Sequence, residues 1–180
     1  MRIKAGESVG LVIDIQEKLF QVMHRKEELM DRVRILMQGL EILDVPVLLT
    51  EQYPRGLGST LAPIAALLEN ESRIEKISFS CCGEANFNSR LSGLNKKRVI
   101  VCGIESHVCV LQTVIDLLDR GYTPVVVVDC ISSRNPEDQK VALERMRAEG
   151  AVLTTCESIL FELAGVAGTP QFKSISKLVK

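Results

Sequence analysis

A chain of 180 residues, 46% of them hydrophobic and 25% charged, is long enough to bury a sizeable core and too apolar to remain disordered. Its 22 Lys and Arg nearly cancel its 23 Asp and Glu, so no basic surplus draws it to nucleic acid and no acidic tail solvates a partner. The opening MRIKAGESVG lacks the apolar run of a signal peptide and no stretch approaches the length of a membrane span, so the expectation is a cytoplasmic protein that handles a small molecule.

Residues 9–13 form an apolar run ending in Asp14, the pattern of a central parallel strand covered on both faces. From Leu29 onward, Val33, Leu36, Met37, Leu40 and Leu43 fall on one face of an amphipathic helix. Residues 45–49 predict a second strand ending in Thr50-Glu51, and TEQYPRGLGST then makes a loop marked by proline and glycine. A short helix over 61–68, a third strand over 73–77 with Lys76 near its end, and a helix over 84–94 follow.

The stretch RVIVCGIESHVCVLQTVIDLL comes next. Val99, Ile100 and Val101 are a β-branched run that Gly103 punctuates, after which Leu111, Ile115 and Leu118 recur at helical spacing. Cys109 therefore sits where a helix begins. Unpaired N–H groups and the positive end of the helix dipole there favour thiolate over thiol, which makes Cys109 a candidate nucleophile; the alternative is a small buried hydrophobe. Residues 123–128 predict a fifth strand capped by Asp129, and a polar loop over 132–135 leads to Pro136 at the first turn of a helix reaching about Glu149. A sixth strand over 151–154, a short helix over 157–163 and a polar tail from Thr169 with little periodicity complete the chain.

Strands alternating with helices imply one α/β domain over 1–180, with right-handed crossovers and helices on both faces of an open parallel sheet. Ligands of such sheets bind beyond the carboxyl ends of the strands, which here carry Asp14, Glu51, Lys76, Gly103 and Asp129. Two of these strand-end groups and the helix-start cysteine make a working set: Asp14 as proton acceptor, Lys76 to hold it ionised, and Cys109 as nucleophile toward an electrophilic carbonyl. Backbone N–H groups of the turn over 103–109 are placed to meet the developing oxyanion, and no cofactor or metal is called for. The other cysteines, Cys81, Cys82, Cys102, Cys130 and Cys156, read as free thiols of core or wall. With no Cys-x-x-Cys and only His24 and His107 as further ligands, a structural zinc site is not expected. Asn70-Glu71-Ser72 matches a glycosylation sequon by chance, and no phosphate-binding glycine loop is complete.

These motifs resemble the isochorismatase-like cysteine hydrolases, a superfamily that includes nicotinamidases and carbamoyl-amide amidases. The resemblance is carried by LVIDIQ at 11–16, TEQYPRGLG at 50–58, IEKISFSC at 74–81, GIESHVCVLQT at 103–113 and ESILFEL at 157–163. It implies an α/β/α sandwich with six parallel strands in the order 3-2-1-4-5-6, and Asp14, Lys76 and Cys109 as base, its partner and nucleophile. It also implies a cis peptide between Ile104 and Glu105 that aims the Glu105 and Cys109 amides at the oxyanion. The TEQYP loop is similar to that of isochorismatase domain-containing proteins whose substrates are mostly unassigned. Nicotinamidases carry an Asp-x-His and a further histidine after the second strand where this chain has Glu51, Gln52 and Tyr53, so nicotinamide is not the leading substrate.

The strand order implied by the resemblance also puts the third strand two places from the first, so Lys76 has to reach across. Gln16, Phe20, Tyr53, Phe79 and His107 follow strand ends or flank the nucleophile and are candidates for lining a substrate pocket. His107 is poorly placed as a base, because residues two apart aim in different directions. Asp129 is a candidate for orienting a loop, and the side-chain roles of Glu51 and Glu105 are open. The expected protein is a metal-independent hydrolase acting on an amide-like substrate through a thioester; the competing classes are a non-catalytic oligomeric scaffold and a thiol redox protein using Cys109. A homo-oligomer is expected from the family, with apolar residues over 159–163 and Val166 as surface material.

Overall fold

A computed structural model describes residues 2–71 and 73–180; Ser72, the serine of the sequon, lies outside the described residues. Six strands, β1 (Ser8–Ile13), β2 (Val47–Gln52), β3 (Arg73–Lys76), β4 (Arg98–Ile104), β5 (Thr123–Ser132) and β6 (Val152–Thr154), form one parallel sheet in the order β3-β2-β1-β4-β5-β6. The helices are α1 (Glu17–Phe20), α2 (Lys26–Ile42), α3 (Pro54–Leu57), α4 (Ala62–Ala65), α5 (Ala85–Gly93), α6 (Leu111–Asp119), α7 (Pro136–Ala148), α8 (Cys156–Ala164) and α9 (Pro170–Leu178). None among the described residues is long and apolar enough to cross a membrane.

The apolar runs become strands because both sheet faces are covered. Val99 and Val101 join a core with Phe87, Leu91, Val114, Leu117 and Met146 of α5, α6 and α7. Ile100 and Cys102, pointing the other way, join a core with Val33, Leu36, Leu40, Ile159 and Leu160 of α2 and α8. Three layers follow. Phe20 belongs to this second core, with Met23 and Leu29, and is packing rather than an open pocket wall.

Three local expectations are corrected. The tail folds: Thr169 caps α9 by accepting a hydrogen bond from Phe172 N, Pro170 occupies the first turn, and Phe172 meets Phe161 at 5.9 Å between ring centroids. The apolar residues Ile159, Leu160 and Leu163 are core, not surface, because Gly39 of α2 carries no side chain and Leu160 fills the space a Cβ would take; only Val166 is exposed. The fifth strand continues past Asp129 to Ser132 through a jump in register, Val101 opposing Val126 but Gly103 opposing Ile131. Asp129 then turns to the neighbouring element, its Oδ1 accepting from Cys156 N at 2.8 Å at the start of α8.

Gly103 brings β4 against β1 at the edge where the polar residues gather. Its φ is +132°, and an added Cβ would stand 2.2 Å from the Ile13 carbonyl oxygen, backbone that cannot rotate aside. Gly103→Ala is expected to lower stability by about 3 kcal/mol or more, read as the midpoint of urea unfolding. An unchanged midpoint would contradict that crowding.

Candidate active site

Asp14 follows β1 in a left-handed conformation, φ +53°, one that aspartate tolerates better than most residues. Its N–H reaches Thr50 O at 3.3 Å and its carbonyl accepts from Gln16 N at 2.8 Å. The carboxylate is fully buried. Oδ1 accepts from Thr50 Oγ1 at 2.8 Å, and Oδ2 lies 2.6 Å from Lys76 Nζ, whose side chain is buried as well.

The reach from the third strand is thus made, and β2 is what carries it. Lys76 pairs in register with Gln52, whose Oε1 accepts from Nζ at 2.7 Å, while the carbonyls of Ser78 and Phe79 accept at 3.2 and 2.9 Å. Gln52 is itself clamped by Gln16, which accepts from Gln52 N at 2.7 Å and donates to the Gln52 and Gly58 carbonyls at 2.9 and 2.7 Å. Gln16 is therefore a buried strut between loops. A lysine so enclosed is held charged by Asp14, and its pKa lies above the usual lysine value against the opposing effect of burial.

Cys109 lies in the turn Ser106–Val110 that precedes α6, where Val108 N and Val110 N both donate to the Glu105 carbonyl, at 3.1 and 3.2 Å. The second of these spans five residues, the spacing of a π-type turn. The Ile104–Glu105 peptide is cis. Cys109 is 5% exposed and close enough to the Asp14 carboxylate to feel its charge. Here the preference for thiolate expected from the turn is overturned: burial first, then the negative charge of Asp14, pushes Cys109 up to about 12, and Lys76 only partly offsets them. Burial likewise raises Asp14 above the ordinary carboxylate range, opposed by Lys76 and Thr50. The resting site is a neutral thiol beside a carboxylate with enhanced appetite for its proton.

Neighbours that sequence reasoning did not single out complete the site. Thr50 orients Asp14, Gln52 holds Lys76, and Cys81, fully buried, donates through Sγ to Thr50 Oγ1 at 3.8 Å. Burial and Asp14 push Cys81 up to about 12 too. The signal for Thr50 and Gln52 was their place at the end of the strand flanking Asp14. Glu51 points into the loop instead, its Oε1 accepting from Thr60 N and Oγ1 at 2.7 and 2.6 Å with Arg73 Nε at 3.6 Å.

Of the remaining candidates for a pocket, Tyr53 is half exposed and lines a cleft of about 290 Å³ with Pro54, Arg55, Ile77 and Glu84 beside Lys76. Phe79 is also exposed, and its carbonyl rather than its ring serves the site. His107 meets Ser133, Nδ1 to Oγ at 2.9 Å, with Asp138 3.9 Å from Nε2. Among the described residues, no three of His, Cys, Asp and Glu are grouped to hold a metal ion.

The isochorismatase domain model matches residues 8–158. A secreted isochorismatase effector, Isc1, of Phytophthora sojae is 40% identical over 183 residues, covering 99% of this chain and 87% of that protein. Isochorismatase domain-containing protein 2 of Homo sapiens is 40% identical over 181 residues, covering 99% and 86%. The MAR1 ribonuclease structure from Caenorhabditis elegans superposes with a TM-score of 0.94 at 39% identity, over 99% of this chain and 92% of that one. The YcaC gene product of Escherichia coli, described as an octameric hydrolase of unknown specificity, superposes with a TM-score of 0.93 over 99% of this chain and 90% of that one; at 20% identity this is a likeness of fold.

Proposed function

Because the chain belongs to the isochorismatase family, and so to a superfamily of hydrolases, we propose that it cleaves an amide-like bond in a small molecule with Asp14, Lys76 and Cys109 as a metal-independent triad. The observation that carries this reading is the buried Asp14 carboxylate, paired with Lys76 at 2.6 Å and electrostatically coupled to Cys109.

In the first step the Cys109 sulfur attacks the carbonyl carbon as its proton passes to Asp14, and the carbonyl π pair moves to oxygen. The amides of Glu105 and Cys109 hold that oxyanion. When it collapses, the C–N bond breaks, Asp14 returns its proton to the departing amine, and a thioester remains. Water then adds to the thioester with Asp14 again as base, releasing the acid and restoring the thiol. A thiol held near pKa 12 has almost no thiolate at neutral pH, so a neighbouring base is a requirement of this scheme. Lys76 keeps a positive charge beside Asp14 throughout and takes no proton from the substrate.

Iodoacetamide at neutral pH, followed by mass mapping of the six cysteines, tests the nucleophile. Cys109 is expected to react before Cys81 and Cys82, because it has an adjacent base and slightly more exposure than either. Earlier reaction of Cys81 or Cys82 would overturn the assignment and favour the scaffold reading. The substrate class is sought by screening amides, carbamoyl compounds and nicotinamide. An RNA strand joins the panel because the C. elegans relative is named a ribonuclease.

We also propose a homo-oligomer. The exposed Tyr53, Ile77 and Phe79 beside the cleft supply apolar surface that residues 159–163 do not, and YcaC, which shares the fold, is described as an octamer. Light scattering at micromolar concentration is expected to give a multiple of 19.9 kDa; a mass that stays monomeric on dilution would reject the assembly.

A further inference from the structure

We infer that the side chain of Glu105, acting with Arg134, is a positioning residue that sets the turn carrying Cys109 and the oxyanion amides against the β5–α7 loop. This rests on the hydrolase reading above. The β4–β5 ladder ends with Ile104 opposite Ser132. One residue further along β4 and two along β5, side chains take over the coupling. Glu105 Oε2 accepts from Arg134 N at 3.1 Å and from Arg134 Nε at 3.0 Å. The other end of the same residue, its carbonyl, holds Val108 N and Val110 N, the residues on either side of Cys109. Glu105 is thus tied to the nucleophile through its backbone and to the neighbouring loop through its carboxylate.

The pair is asymmetric in a way that a mere surface ion pair is not. The Glu105 side chain is 9% exposed and that of Arg134 62%. A carboxylate so covered is costly to desolvate and needs its donors, whereas the guanidinium remains in water and gains little by the contact. The loop it grips is fixed elsewhere too. His107 Nδ1 meets Ser133 Oγ at 2.9 Å, Ser132 Oγ donates to His24 O at 2.7 Å, and His24 N donates to Ser133 O at 3.0 Å. Residues 132–134 are therefore an anchored brace. Catalysis by positioned N–H groups is steep in distance, a displacement near 1 Å costing on the order of a hundredfold.

The test separates the reactivity of the thiol from the placement of the amides. With p-nitrophenyl acetate, the Cys109 sulfur bonds to the carbonyl carbon as its proton passes to Asp14, charge builds on the carbonyl oxygen, and p-nitrophenolate leaves. With iodoacetamide, the sulfur bonds to the methylene, its proton again passing to Asp14, and iodide leaves, without charge on the oxygen. The ratio of the two rates at Cys109 therefore reports the oxyanion site. We expect wild type to exceed glutathione in this ratio, and Glu105→Ala to lower it about tenfold or more. Glu105→Gln keeps an acceptor for both Arg134 donors and is expected to restore the ratio to within about threefold of wild type.

A wild-type ratio in Glu105→Ala, with Cys109 still alkylated, would overturn the positioning role alone. A wild-type protein no better than glutathione would bring down the hydrolase reading beneath it. Should Glu105→Ala fail to fold, Arg134→Ala, which removes only the Nε donor at a largely exposed residue, is expected to lower the ratio several-fold; no change there would equally overturn the proposal.

Discussion

Cys109→Ala is expected to abolish turnover, by at least about a thousandfold, while the protein unfolds within about 1 kcal/mol of wild type. The two halves have different origins. Removing the sulfur removes the only atom that bonds to substrate in the proposed scheme. The space left behind is one sulfur atom at a nearly buried position, and alanine suits a turn that leads into α6. The check is steady-state hydrolysis of whichever panel substrate wild type turns over, with urea unfolding alongside. Residual turnover above a few per cent would place the nucleophile elsewhere.

The pH profile of wild type adds a second reading of the same step. Asp14 must be unprotonated to accept the thiol proton, and burial raises its proton affinity. Activity is therefore lost as pH falls through a value above the ordinary carboxylate range, and the acid limb belongs to the carboxylate, not to the thiol.

Lys76→Met is expected to destabilise the fold by about 3–5 kcal/mol, the usual cost of removing one partner from a buried pair. Asp14 would keep its charge only through Thr50, or take up a proton, and Gln52 would lose the donor that its Oε1 now serves. The double substitution Asp14→Asn with Lys76→Met removes both charges and is expected to recover much of that loss, because the penalty lies in the unpaired carboxylate and not in the absence of attraction. Urea unfolding of the wild type, Asp14→Asn, Lys76→Met and the double variant gives the coupling. Additive effects within about 0.5 kcal/mol would mean that the two groups do not act as a pair. All three variants are expected to be inactive.

Much of the fold was readable because fully covered parallel strands are written as apolar runs, as at residues 9–13, 99–101 and 123–128, and because α2 keeps Leu29, Val33, Leu36 and Leu40 on one face. The tail was less legible: in α9 only Ile175 is fully buried, so periodicity was weak and the informative signal was the Thr169-Pro170 start. Asp14, Lys76 and Cys109 were legible as strand-end or helix-start residues. Their partners Thr50 and Gln52 were visible only as strand-end residues and not as partners, since which side chain meets which across a sheet is decided by register. The ionisation of Cys109 was misread because the position of a thiol at a helix start is visible in sequence, while its burial and the carboxylate beside it are not.

The strand that supplies Lys76 has four residues and a single neighbour, β2, at the rim of the sheet. Such a strand belongs to the part of a protein that opens first, by fraying, long before the centre gives way. If it peels off, the ammonium leaves with it and Asp14 is stranded in the interior. Heat would then silence the enzyme by local opening at temperatures where β1 and β4 are still protected from solvent exchange, so that catalytic lifetime is governed by the margin of the fold and overall melting by its middle.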